Sequence, residues 1–268
     1  MAILPKSDME ILSQEIIHDD GHYRLRTGQR VRYLRIPVST FDDDTMCRLY
    51  LLIPRLPDLP DSLWTTMTIS QDENSSLKPV ISMDPLPEIR TAWYERHVDI
   101  LTLKSTRRFR SGVHEVRYND VPAIAKIACF EWEMRRIERE TWAYSLLEDH
   151  HSRHPNESPI APKFLAHLTE NGRIMGLLLE KVDGEPACVD DLEHCEILLR
   201  RLHRDLGLVH GDVNRYNFLV DRASGIGVRL VDFEHTEDFD ESLAMAELLS
   251  LPAELTEETG RGATIDVK

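Results

Sequence analysis

The chain has 268 residues, a formal net charge of −15, 41% hydrophobic and 29% charged residues, which is the composition of a folded globular protein. So acidic a balance argues against phosphate-backbone binding as the main activity, because nucleic-acid binders carry a basic stripe. With no apolar run long enough for a membrane span, no secretory signal at Met1–Asp8 and four solitary cysteines, a soluble, reduced, cytoplasmic protein is expected, with neither membrane nor nucleic acid as partner. In chain order, residues 1–95 hold most of the 14 prolines and read as an irregular, β-leaning N-terminal segment. Its strand-like pieces are Val31–Val38, Cys47–Ile53 and Trp64–Ile69. From Val98 the pattern sharpens. Val98, Ile100 and Leu103 suggest a strand, followed by strands at Val113–Tyr118 and Ala123–Ala128 about an Asn119-Asp120 turn.

A long helix is then expected from Phe130, because Phe130, Met134, Ile137, Thr141, Tyr144 and Leu147 alternate at spacings of four and three. A solvated loop, Glu148–Pro159, would end it. Asn171-Gly172 between Lys163–Thr169 and Arg173–Val182 is a hairpin signal. A second helix from Val189 places Leu192, Cys195, Leu198, Leu199, Leu202 and Leu206 on one face, with Gly207 at the left-handed C-cap. Short apolar pieces at Leu208-Val209, Phe218–Val220 and Val228–Val231 follow, and a last helix lies near Leu243–Leu251.

The segment His210-Gly211-Asp212-Val213-Asn214-Arg215-Tyr216-Asn217 carries the chemistry. An apolar strand enters a polar loop with an Asp and, five residues later, an Asn. Fifteen residues beyond Asn217 stands Asp232-Phe233-Glu234. This set resembles the catalytic loop and metal-binding motif of the protein-kinase-like superfamily, in which a carboxylate orients and deprotonates the attacking hydroxyl and oxygen ligands hold Mg²⁺ on the nucleotide phosphates. The resemblance implies Asp212 as the base and Asn217 and Asp232 as metal ligands. His203-Arg204-Asp205 spells the protein-kinase catalytic triplet, but it falls inside the preceding helix, and five residues after Asp205 stands His210 in place of Asn.

The remaining motifs occur in kinase order. Ala123-Ile124-Ala125-Lys126 resembles the strand whose lysine holds the α and β phosphates. Its carboxylate partner is expected from the next helix. Glu133 leaves too little room after Lys126, so Glu140, three past Ile137, is preferred. The stretch from Glu180 to Gly184 resembles the hinge between lobes, where the backbone C=O of Glu180 and N–H of Val182 would meet adenine. The phosphate-covering loop departs from the pattern, because Thr106–Val113 holds one glycine and three arginines. Those arginines could supply charge in place of backbone approach.

Gly211 stands where ordinary protein kinases carry the Arg that reads an activation-loop phosphate, as in aminoglycoside and choline kinases, which the chain resembles along with compact RIO-type kinases. The resemblance implies an α+β, bilobal kinase-like fold with a β-rich N-lobe at 96–180, a short truncated helical C-lobe at 183–268, and 1–95 as an N-terminal extension. It further implies an ATP- and Mg²⁺-dependent phosphotransferase acting on a hydroxyl of a small molecule or, less favoured, of a protein, with the acceptor site minimal or completed by a partner chain. Alternatives are a nucleotide-binding pseudokinase or scaffold, and phosphorylation that activates a substrate for elimination or cyclisation.

Overall fold

The computed structural model describes residues 2–222 and 227–260. It is a mixed α+β chain that divides into two compact units, Met1–Pro87 and Glu88–Lys268. The division falls between Pro87 and Glu88, against the sequence-based boundary near residue 95.

The first unit is more regular than its prolines suggest. β1 (Met9–Ile17), β2 (Asp20–Thr27), β3 (Arg30–Pro37), β4 (Thr66–Gln71) and β5 (Leu77–Ser82) form one sheet in that order. All neighbours are antiparallel except β3 and β4, which run parallel and need a crossover. That crossover contains α1 (Asp43–Cys47) and α2 (Leu49–Arg55), so the strand expected at Cys47–Ile53 is helical. Asp42 caps α1, its carboxylate accepting from Thr45 N at 2.9 Å with Asp43 and Asp44 in the positive first turn, and α2 follows from Arg48. Tyr23, Leu25, Leu34, Ile36, Leu52, Leu59 and Met67 are almost wholly buried in a shared core. Each such side chain contributes roughly 1.5–3 kcal/mol through removal from water. The Tyr23 hydroxyl satisfies itself inside this core by donating to Met46 O at 2.8 Å.

In the second unit, β6 (His97–Asp99), β7 (Lys104–Arg110), β8 (Val113–Tyr118), β9 (Val121–Ile127), β10 (Phe164–Glu170) and β11 (Arg173–Glu180) build a six-stranded sheet of order β6-β10-β11-β9-β8-β7. Between β9 and β10 runs α3 (Glu131–Arg153). All six residues of its predicted stripe are buried. Asn171 and Gly172, with φ of +49° and +88°, make the β10–β11 turn. The expected strand from Val98 is only three residues long, since Ile100–Thr102 turns away as a 3₁₀ segment capped by Asp99. α3 also continues through Asp149–Arg153, beyond the loop predicted from Glu148, and buries His150.

After β11 come β12 (Glu185–Pro186), α4 (Leu192–Asp205), β13 (Leu208–Val209), β14 (Phe218–Asp221), β15 (Gly227–Leu230), β16 (Glu237–Asp238) and α5 (Glu241–Leu255). β12, β14 and β15 form one small sheet, and β13 and β16 another. Gly207 closes α4 at φ +67°. Parts of the predicted 183–268 region, residues 223–226 and 261–268, lie outside the described residues. Among the described residues no helix is long and apolar enough to cross a membrane.

Candidate active site

Lys126 sits on β9, flanked by Val113 of β8 and Leu177 of β11, and is 6% exposed. An ammonium buried this deeply must be paired. Glu140 pairs with it from the stripe of α3 that also holds Ile137 and Tyr144, one turn away on either side. The Lys126 Nζ lies 2.7 and 3.0 Å from the two carboxylate oxygens of Glu140, which is fully buried. Glu133, the rejected alternative, turns back to accept from Phe130 N at 3.0 Å and caps its own helix.

The third donor contact of Lys126 reaches Asp232 Oδ1 at 2.6 Å. Asp232 stands just past β15 at φ +68°, a left-handed backbone that costs a non-glycine residue about 1–2 kcal/mol and is tolerated best by Asp and Asn. The turn that follows lets Phe233 N donate to Glu140 Oε1 at 3.3 Å. Lys126, Glu140 and Asp232 therefore lock three separated segments together. Burial alone would raise Asp232, but the ammonium of Lys126 and guanidinium of Arg110 outweigh it and hold its carboxyl at about 2. Burial would likewise lower Lys126, yet Asp232 and Glu140 push it up to about 12. Glu140 is raised by burial, with the neighbouring Asp232 charge adding to that and Lys126 opposing it.

Asp212 and Asn217 form a second group. Asn217 Nδ2 donates to Asp212 O at 2.8 Å and to Asp212 Oδ2 at 3.1 Å. Asn214 Nδ2 reaches the same two acceptors at 3.3 and 3.2 Å, while its Oδ1 accepts from Tyr216 N. Sequence reasoning did not single out Asn214; an amide two residues after Asp212 in a turn-forming run is the signal that could have done so. The two asparagines fix the Oδ2 side of Asp212 and leave Oδ1 free among the described residues. Having used its amide hydrogens on Asp212, Asn217 presents its carbonyl oxygen as the remaining ligating atom. Val231 N donates to Asn217 O at 3.0 Å, which ties the Asn217 loop to the strand end carrying Asp232.

Behind this loop, fully buried His210 bonds Val231 O through Nε2 at 3.0 Å and packs on Phe233. Burial lowers its pKa, which favours the neutral ring behind the loop. Gly211 N donates to Glu247 Oε1 of α5 at 2.6 Å, and His203 meets the other oxygen at 2.7 Å. A Cβ on Gly211, which has φ +79°, would lie 2.2 Å from His235 O, so the backbone has no room for a side chain there. Asp205 of the rejected triplet ends α4, 3.9 Å from Arg201.

Lys126, Asn217 and Asp232 line one cleft of about 830 Å³, a usual size for a small-molecule site. Val113, Ile124, Leu179, Leu219 and Val231 supply its apolar wall, and Glu180 and Val182 its other edge. Asp212 is not among the residues lining the cleft and is joined to it through Asn217. A nucleotide with a divalent cation fits the donor chemistry of these residues. The carboxylate of Asp232 and the amide oxygen of Asn217 are hard oxygen ligands of the kind Mg²⁺ takes, beside a lysine suited to phosphate.

Arg110 is the participant that sequence spacing does not isolate among its neighbouring arginines. Its guanidinium lies 3.2 and 3.1 Å from the two oxygens of Asp232 and 3.4 Å from Glu234 Oε1.

A smaller cavity of about 410 Å³ in the same unit is lined by Tyr144, His150, His151, His154, Glu157 and Arg201, among others. Donor atoms of His150, Glu157 and Asp205 come within 4.8 Å of one another. The guanidinium of Arg201 already serves both carboxylates, at 2.9 Å from Glu157 and 3.9 Å from Asp205. No protein-family model matches the chain, and no curated protein matches its sequence.

Proposed function

We propose that the second unit is a kinase-like phosphotransferase that uses ATP and Mg²⁺ to phosphorylate a hydroxyl of a small molecule. In this reading the six-stranded sheet with α3 is the N-lobe, and the segments from β12 to α5 are the C-lobe of a bilobal arrangement. The observation that carries it is that Lys126, Asn217 and Asp232 line one cleft, with Glu140 bonded to Lys126 and Asp212 bonded to Asn217. These five chemistry-bearing residues come from four segments, β9, α3, the loop of Asp212 and Asn217, and the turn after β15, which supports the reading.

Lys126, held by Glu140, would bind phosphate oxygens while keeping its buried partner. Asn217 and Asp232 would hold the cation by oxygen atoms. Mg²⁺, when bound, supplies positive charge that neutralises the phosphates as the bond to the leaving oxygen weakens. Asp212, fixed through Oδ2, would orient the acceptor hydroxyl and take its proton on Oδ1. Glu180 and Val182 would offer backbone groups to the adenine edge. Gly211 provides no cationic side chain for an activation-loop phosphate, which favours a small acceptor over a phosphorylation-controlled protein kinase. A partner chain completing the acceptor site remains part of the proposal.

The full chain incubated with Mg²⁺ and γ-labelled ATP against a panel of small alcohols is the direct test. Transfer should occur and vanish in Asp212→Ala and Asp232→Ala; activity unchanged in both variants contradicts the reading. A non-transferring nucleotide-binding scaffold is favoured by one observation, the hold of Arg110 on Asp232. It predicts thermal stabilisation by Mg·ATP with no labelled product from any acceptor.

A further inference from the structure

The hairpin of β7 and β8 lacks the glycines of a phosphate-covering loop, and the turn after Asp232 carries Glu234 in the place where ordinary protein kinases carry glycine. These departures meet in space. Arg110 of the hairpin grips both oxygens of Asp232 and one of Glu234, whose side chain is only 11% exposed.

Two local devices place Arg110 there. Strict alternation along β7 would turn Phe109 and Arg110 to opposite faces of the sheet. The register slips between Arg108 and Arg110, which pair with His114 and Val113, so Phe109 and Arg110 both line the cleft. Bulges re-aim side chains in this way. The hairpin tip is also pinned to the strand of Lys126, since Ile127 N donates to Gly112 O at 2.8 Å. A Cβ on Gly112, at φ +72°, would come within 2.5 Å of Ile127 O, so only glycine allows this approach.

The oxygens that Arg110 holds include those a divalent cation would take. Arg110 and Lys126 face Asp232, Glu234 and Glu140, leaving one net negative charge in the cluster; without Arg110 there would be two. A planar guanidinium matches phosphate oxygens as well as carboxylates. We propose that Arg110 is a latch that competes with the divalent cation for Asp232 and Glu234, and that it passes to a phosphate oxygen of the nucleotide when the cation displaces it. The latch rests on the phosphotransferase reading for its second half only. It makes cation and nucleotide help each other, because each vacates or occupies what the other needs.

Two probes separate the halves. Binding of Mn²⁺ alone is followed by electron paramagnetic resonance, and binding of a Mg²⁺-loaded non-hydrolysable ATP analogue by calorimetry, in the wild type, Arg110→Ala, Arg110→Lys and Arg108→Ala. Arg110 is 44% exposed on its hairpin, so its variants should fold. Arg110→Ala is expected to bind Mn²⁺ about tenfold more tightly and the Mg²⁺-loaded analogue about tenfold more weakly. Arg110→Lys, which keeps the charge but not the fork, should fall between, and Arg108→Ala should match the wild type. A purely structural role would weaken both affinities together, and that result overturns the latch. Unchanged Mn²⁺ affinity in Arg110→Ala, with normal binding of the analogue to the wild type, overturns the latch while leaving the phosphotransferase reading intact. Tightened Mn²⁺ binding with no analogue bound by the wild type overturns the phosphotransferase reading and the phosphate half of the exchange.

Discussion

The cleft of Lys126 and the smaller cavity of His150 belong to the same unit, and both gather carboxylates around a cation. In the cleft, Glu140 is fully buried and pinned by Lys126 and Phe233 N, and Lys126, Asn217 and Asp232 line a space large enough for a ligand. In the cavity, Glu157 is 46% exposed and already satisfied by Arg201, with His150 and His154 at 3.5 and 3.6 Å. Both clusters would attract attention on charge alone. What separates them is the burial of and constraint on each charged group, which is what distinguishes a candidate site from a surface ion network.

The largest expected break in this comparison is Asp232→Asn. It removes an anionic oxygen from the cleft, and turnover should fall about 10²–10³-fold, read as the initial rate of labelled-phosphate transfer to the acceptor. Asp212→Asn should lower turnover comparably while leaving affinity for the Mg²⁺-loaded ATP analogue at the wild-type value, because Asp212 does not line the cleft. Equal loss of affinity in both variants would refute that division of roles.

Next is Lys126→Met. It strands Glu140 and Asp232 without their shared ammonium, and removing one partner of a buried pair costs about 3–5 kcal/mol. Urea unfolding at neutral pH should show that loss; a change below ~1 kcal/mol would mean the cluster is less desolvated than its burial indicates.

A third prediction concerns pH. His167 is fully buried and its Nε2 accepts from Trp93 N and Tyr94 N, both at 3.2 Å. Burial, aided by neighbouring His97, lowers its pKa to about 4. The unfolded chain binds that proton near pH 6.5 and the folded chain does not, so stability falls as pH drops from about 6.5 to about 4, by on the order of 3 kcal/mol. Asp232, depressed to about 2, adds stability that is lost only lower, between about pH 4 and 2. Replacing His167 with Gln should flatten the upper window and leave the lower one; an unaltered profile would assign the acid lability elsewhere.

The smallest effect belongs to the cavity. Glu157→Gln weakens a half-exposed network and should cost less than about 1 kcal/mol, with turnover unchanged. Loss of activity in that variant would erase the distinction between the two clusters.

Local patterns were the legible ones. The α3 stripe, the Asn171-Gly172 turn and the Gly207 cap depend on residues within a few positions of each other. The pairing of Glu140 with Lys126 was also readable, because strand, turn and helix periodicity together fix which carboxylate can face back. Arg110 was not readable as a partner of Asp232, 122 residues away, because a bulge cannot be seen in a run of arginines. In the first unit, β3 and β4 were legible as Val31–Val38 and Trp64–Ile69, but β2 was not. β2 buries Arg24 and joins Asp20 to Arg35 of β3 at 2.6 Å, so charges occupy positions where hydrophobic alternation is sought. The Cys47–Ile53 run was apolar enough for a strand, and the cap at Asp42 signals only α1 before it, leaving α2 without a capping signal of its own.

The nucleotide proposed for the cleft of Lys126 would be held through Asp232. Calorimetric titration of the full chain with the non-hydrolysable ATP analogue, with and without Mg²⁺, tests it most directly. One site should be found that requires Mg²⁺, disappears in Asp232→Ala and persists in Glu157→Gln. Binding that survives Asp232→Ala, or that is lost in Glu157→Gln, would contradict it.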